Sequence, residues 1–256
     1  MTQNFFQRGA MWLKESLHAL RLQPVSLTGI AIFSLMLSGI LSSLPLVGSM
    51  LAGLWMPFGT VLTAEAARDT LEGRSPSYRS LAAAWSDPAA RSGLIGIGVF
   101  SAVWMELVFL LFEFLGRSDI SQWKMTEKGL DMSTVTANFP TTAVAVMAVL
   151  YIPFLMATTF APILVRIHHQ KLMKSLFFSF FGALRSIGSI LTFLVLVGVL
   201  CVLLITGIEL ALALLGFPNG LAYIGPFVAA GISTILQAGV WVMFRDIFSG
   251  IPANDP

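Results

Sequence analysis

Long uncharged runs alternate with short polar segments along the whole chain. No charge falls between residues 22 and 64 or between 139 and 165, and Glu209 alone interrupts residues 186–244. A helix of about 20 residues, rising ~1.5 Å each, crosses a ~30 Å hydrocarbon core, because it satisfies its own backbone N–H and C=O groups where no water can. The first run is long enough for two such helices, and Ser42-Ser43, Pro45 and Gly48 put a tight turn near its middle. The predicted spans are therefore 25–44 and 46–67, then 93–115 and 139–165. The break Gly216-Phe217-Pro218-Asn219-Gly220 divides the last run into 187–215 and 221–244. This predicts an all-α, polytopic membrane protein, with six transmembrane helices in three hairpins forming a single integral membrane domain over residues 1–256.

The polar segments have helical patterns of their own. Phe6, Ala10, Leu13, Leu17 and Leu20 share one face of residues 1–23, while Arg8, Lys14, Glu15, His18 and Arg21 occupy the rest. Such a helix either lies in the headgroups with its apolar side down or packs on the cytoplasmic face of the protein itself. Tyr78, Leu81, Ala82 and Trp85 predict a second surface helix, which Asp87-Pro88 ends while opening the next one. Before span five, Ser175, Ser179, Gly182 and Ser186 recur at intervals of four, three and four, a small-residue face for close helix packing. Amphipathic helices thus precede spans 1, 3 and 5. With Trp55-Met56-Pro57-Phe58, Tyr151-Ile152-Pro153-Phe154 and Tyr223-Ile224-Gly225-Pro226-Phe227 in the second span of each pair, they suggest a threefold internal repeat.

Composition changes the picture little: 56% hydrophobic and 11% charged residues exclude an ordinary soluble domain. Charge distribution adds orientation. Arg8, Lys14, Arg21, Arg68, Arg74, Arg79, Arg91, Arg166, Lys171, Lys174, Arg185 and Arg245, twelve of the fifteen basic residues, fall on one side if both termini are cytoplasmic. The other side then has Arg117, Lys124 and Lys128, so the positive-inside rule selects six spans with cytoplasmic N and C termini. Residues 1–21 lack the pattern of a cleaved signal, so the first span is expected to be retained. A lone cysteine, Cys201, allows no internal disulfide.

The bilayer selects Glu106, Glu113 and Glu209 as a candidate intramembrane polar site, because an ionisable group among apolar residues is costly and faces a partner or water. Glu106 and Glu113, seven residues apart, share a helix face, and as a cavity lining they would suit a cation, a proton or an amine. The plainer readings pair Glu113 with Arg117 and let Glu209 reach the outer interface. His168 and His169 diverge by ~100° on a helix and have no spaced carboxylate or cysteine, so no metal site is expected. With Arg166, Lys171 and Lys174 they read as a headgroup-facing basic belt for anionic lipid on the cytoplasmic side. No phosphate-cradling glycine loop, zinc signature or nucleophile triad appears, and the chain is expected to be no enzyme and to use neither cofactor nor nucleic acid.

Phe160-Ala161-Pro162-Ile163-Leu164-Val165, its basic turn and Ser175-Leu176-Phe177-Phe178-Ser179-Phe180 resemble an uncharacterised family of proteobacterial inner-membrane proteins with a Phe-Ala-Pro-x-Leu-Val motif. Leu44-Pro45-Leu46-Val47-Gly48 and the Gly73 turn look like that family too, while Lys174-Ser175 departs from its Ala-Leu. The resemblance implies a bacterial inner membrane and six helices, and brings no activity. The expected role is structural, assembly or accessory, through binding another membrane protein or a second copy. The alternatives are a small-molecule or lipid transporter with a proline-bent cavity containing Glu106, and a membrane-surface sensor.

Overall fold

The computed structural model describes residues 4–126, 129–217 and 220–250. Lys128, Pro218, Asn219, residues 1–3 and the tail 251–256, all used in the sequence reading, lie outside the described residues. In chain order come α1 (Phe5–Leu22), α2 (Pro24–Ser42), α3 (Gly48–Leu71), α4 (Arg79–Ser86) and α5 (Pro88–Ile120). A small ladder of β1 (Met125–Thr126) and β2 (Gly129–Leu130) follows, then α6 (Met132–Ala137), α7 (Thr141–Thr158) and α8 (Ala161–His168). The chain closes with α9 (Leu172–Arg185), α10 (Ile187–Leu214) and α11 (Leu221–Ile247). The fold is all-α, and five of its helices are long and apolar enough to cross a membrane: α2, α5, α7 with α8, α10 and α11.

α3, predicted as the second span, is not among those five, and its packing explains why. Residues 61–67 are all buried, and consecutive helical residues point ~100° apart, so protein encloses this stretch on every side. Its neighbours are α2, α5, α11, α4, α8 and α1. Surrounded by helices, α3 can carry Pro57, Gly59, Thr60, Thr63 and Glu65, which would be costly against lipid. Against α5 the backbones meet closely. A Cβ on Gly53 would lie 2.9 Å from Ala102 Cα, and one on Gly98 would lie 2.8 Å from Leu54 Cα.

The fourth predicted span is broken in two. Phe160 N–H donates to Ser179 Oγ at 3.0 Å, and Ser179 Oγ donates to Met156 C=O at 2.7 Å. Those two backbone groups would pair directly in a continuous helix, so a hydroxyl from α9 is inserted into the ladder. Pro162, which has no N–H to offer, then sits harmlessly in the first turn of α8.

The amphipathic segments pack on the protein. α1 lies against α10 and α11, and its buried stripe is Gly9, Trp12, Ser16 and Ala19 rather than the predicted Phe6-Ala10-Leu13-Leu17-Leu20 face. Phe6 is exposed, and Leu13, Leu17 and Leu20 only flank the core. Small residues decide this: a Cβ on Gly9 would lie 2.7 Å from Thr192 Cβ, so contact is closest where side chains are shortest. In α4, Ala84 is buried while Ala82 and Trp85 stay exposed, as does Tyr78 just before the helix. Asp87 ends α4 and caps α5, accepting from the N–H groups of Ala89 at 3.0 Å and Ala90 at 3.2 Å. The Ser175-Ser179-Gly182 face of α9 is consumed inside the fold, on α7, α8 and Phe248. Of the three aromatic-proline motifs, Phe58 and Phe154 are buried but Phe227 is 78% exposed, so the third does not repeat their packing.

Candidate functional site

Charged groups gather where α3 ends, α5 begins and α8 ends. Arg166 Nε lies 3.1 Å from Glu65 Oε1, and Arg166 also approaches Asp87, at 3.8 Å. Glu65 is 6% exposed. His169 Nδ1 lies 3.6 Å from the same Asp87 carboxylate. His169 closes α8 in a left-handed conformation, φ 47°. Arg68 sits over the Trp241 ring at 5.9 Å, with Asp69 3.8 Å from its Nε. A second set ties α1 to the end of α11: Asp246 accepts from Arg8 Nε at 2.5 Å and Trp12 Nε1 at 2.9 Å, and Arg245 pairs with Glu15. Asp131, in the loop opposite, is capped differently. The Ser133 hydroxyl and backbone N–H, with weaker help from Thr134 and Lys124, hold its carboxyl below the usual carboxylate range.

The predicted sites divide. Glu106 is half-buried on α5 and accepts a hydrogen bond from Ser49 Oγ of α3. Glu113 is exposed one face-repeat away, and among the described residues no ion pair joins it to Arg117. Glu209 is exposed on α10, which packs mainly on α1 and α11, whereas α5 packs on α3, α7 and α8. The three carboxylates are thus not brought together. In the basic belt, Arg166 turns inward to Glu65, and His168 is buried beside Phe244, ring centroids 6.0 Å apart, with no partner for its Nδ1. Only His169, Lys171 and Lys174 remain exposed. The end of α8 causes the split: Arg166 and His168 lie in its last turn against the bundle, while His169 caps it in a left-handed conformation and the chain turns outward to Lys171 and Lys174.

Sequence reasoning missed a cleft of about 330 Å³ between α2, α3 and α11. Ser34 and Ser38 of α2, Thr60 and Thr63 of α3, and Ser233 and Gln237 of α11 line it together with Trp55. Thr60 and Thr63 donate to carbonyls of their own helix, and Gln237 Nε2 donates to Ser233 Oγ at 3.0 Å. The Gln237 carbonyl oxygen and the Ser34 and Ser38 hydroxyls form no side-chain hydrogen bond among the described residues. Gly59 makes room, because a Cβ there would lie 2.5 Å from Ser34 Oγ. Ser34 is ten residues into α2, about 15 Å along it. A neutral donor-acceptor row therefore opens half-way along membrane-length helices. The signal was present as serine and threonine inside apolar runs, but only packing places three separate helices side by side.

Two further cavities are apolar. One lies between α10 and α11, around Cys201, Ile205 and Val228, and the other is between α5, α7 and α9. Glu106 lines none of these three. Among the described residues no group of three His, Cys, Asp or Glu is spaced to hold a metal. Comparison with models of protein families, with curated proteins and with solved structures finds no match.

Proposed function

We propose that the protein is a six-span inner-membrane protein with both termini cytoplasmic, which serves an accessory or assembly role by binding a helix of another membrane protein. The observation that carries the reading is the uncharged polar cleft of α2, α3 and α11. Hydroxyl and amide groups open toward hydrocarbon are unfavourable alone, and hydrogen bonds from a neighbouring helix are the usual way of satisfying them. Exposed Leu35 at the cleft edge, and Gly39 with nothing within 4 Å of a Cβ, leave room for such a helix.

Six spans, in three hairpins, follow from treating α3 as an enclosed span. At ~1.5 Å per residue its 24 residues reach about 36 Å, and its low apolarity suits a helix sheltered from lipid. Contacts of α2 with α3, α5 with α7 and α10 with α11 support the pairing. Contacts between Arg166 and Glu65, Arg8 and Asp246, and Gln23 and Arg74 gather the basic segments at one end, as cytoplasmic termini require. The bacterial inner membrane is the setting that the Phe160–Val165 resemblance suggests.

The test is photo-crosslinking from position 35 in native membranes, with position 199 on the exposed face of α10 as control, followed by mild-detergent purification and mass spectrometry. One membrane protein should be captured at 35 and not at 199, in stoichiometric amount. Interhelical hydrogen bonds average about 0.6 kcal/mol, so Gln237→Leu alone should weaken capture about threefold and a triple Ser34, Thr60, Gln237 replacement far more. Equal lipid adducts at both positions, or a small solute retained in the cleft, would overturn the accessory reading, the second outcome in favour of transport without Glu106.

A further inference from the structure

The cavity between α5, α7 and α9 differs from the other apolar one in carrying a cation at its mouth. Phe100 of α5, Ala157 of α7 and Leu176, Phe177 and Phe180 of α9 wall a space of about 670 Å³, within the range of specific small-molecule sites. Lys174 is the charged lining residue, its ammonium 5.6 Å from the Phe178 ring. Lys171 stands one turn earlier, exposed at the head of α9. Neither lysine has an acidic partner among the described residues, whereas Arg166, Arg8, Arg74 and Arg245 all do. The α10–α11 cavity offers no charged lining residue and so nothing to hold a headgroup.

We propose that this groove is a specific site for an anionic phospholipid, with an acyl chain lying along Phe100, Ala157 and Phe177 and the phosphate at Lys174 and Lys171. Charge complementarity selects the occupant. An apolar slot alone would take any chain, but the unpaired ammonium of Lys174 in its lining, with Lys171 one turn earlier at the head of α9, favours a ligand that is apolar along its length and anionic at its tip. The outer face of α9 fits the same placement: Met173, Phe177, Phe181 and Leu184 are exposed at helical spacing, as in a helix sunk to the level where headgroup meets chain. Ser175 and Ser179 on the opposite face anchor α9 to the bundle, Ser179 through the helix break, so the slot has a fixed wall. The inference rests on the membrane reading given above and is independent of the partner cleft.

The experiment is native mass spectrometry of full-length protein released from phosphatidylcholine vesicles with and without phosphatidylglycerol. The wild-type chain should keep one phosphatidylglycerol in preference to phosphatidylcholine. Each of Lys171→Gln and Lys174→Gln should reduce that preference about fivefold, since a basic residue near an anionic headgroup contributes about 1 kcal/mol. Ala157→Phe, which fills the slot and leaves both lysines, should abolish retention of either lipid, with unchanged thermal melting as the folding control. Equal retention of the two lipids by the wild type would overturn the proposal. So would retention that survives Ala157→Phe, which would assign the preference to diffuse surface charge. A failed cross-link at position 35 would leave all these results untouched, and the reverse also holds.

Discussion

Glu65 and Arg166 meet where α3 is enclosed on every side, and that setting decides what the pair is worth. A buried ion pair gains little over a well-packed apolar pair, because both charges must leave water, yet removing one partner strands the other. Glu65→Ala is therefore expected to destabilise the protein by about 3–5 kcal/mol. Glu65→Leu with Arg166→Met should recover most of the loss, as read by denaturant melts in detergent. A double variant as unstable as the single one would show that the pair itself, and not the stranded charge, matters. Nothing in the sequence marked Glu65 out: it lies among other acidic and basic residues, and the carboxylates that stood alone in apolar runs were Glu106, Glu113 and Glu209. Isolation along the chain is a one-dimensional property, and burial is not.

At the scale of the element, the break between α7 and α8 illustrates how one residue positions a whole helix. Ser179 bridges Phe160 N–H and Met156 C=O, so its loss leaves two buried backbone groups without their partner. Ser179→Ala should cost about 1–3 kcal/mol, the range for an unsatisfied buried polar group. Faster hydrogen exchange should be confined to residues near 156–162 and to α9. Uniform acceleration over the bundle, or none, would contradict the bridging role. Pro162 was visible as a helix interruption, and Ser179 as part of a small-residue face. That the two belong to one device required knowing that α9 lies across α7 and α8.

For the whole molecule, the enclosed position of α3 is what turns five evident spans into the proposed six. With Cys201→Ser as background, cysteines at 73 and 122 should react with a membrane-impermeant maleimide from opposite sides, 122 from outside intact cells and 73 only after permeabilisation. Labelling of both from the same side would remove α5 from the membrane, and the reversed pattern, 73 from outside and 122 only after permeabilisation, would remove α3 and with it the cytoplasmic placement of α4. The same enclosure accounts for the distribution of polarity. α10, apolar nearly throughout, is the least buried of the five long helices, while the polar groups of α3 sit inside. Apolar side chains cover the outside here, and the interior is where small and polar side chains are admitted.

Periodicity and hydropathy alone determined the all-α class, the approximate positions of the five long apolar helices and the Asp87-Pro88 boundary. Those features depend on local preference and on transfer between water and hydrocarbon, which each segment expresses by itself. The face that each helix buries was not determined so. Gly9, Trp12 and Ser16 displaced the more apolar stripe of α1, and Gly53 and Gly98 drew α3 against α5, because dense packing rewards close approach more than hydrophobicity once all faces are apolar. Only the tertiary structure assembled the α2–α3–α11 cleft and set Lys174 at the mouth of an apolar groove. Each draws on helices distant in sequence, and their proximity is a property of packing that no single segment carries.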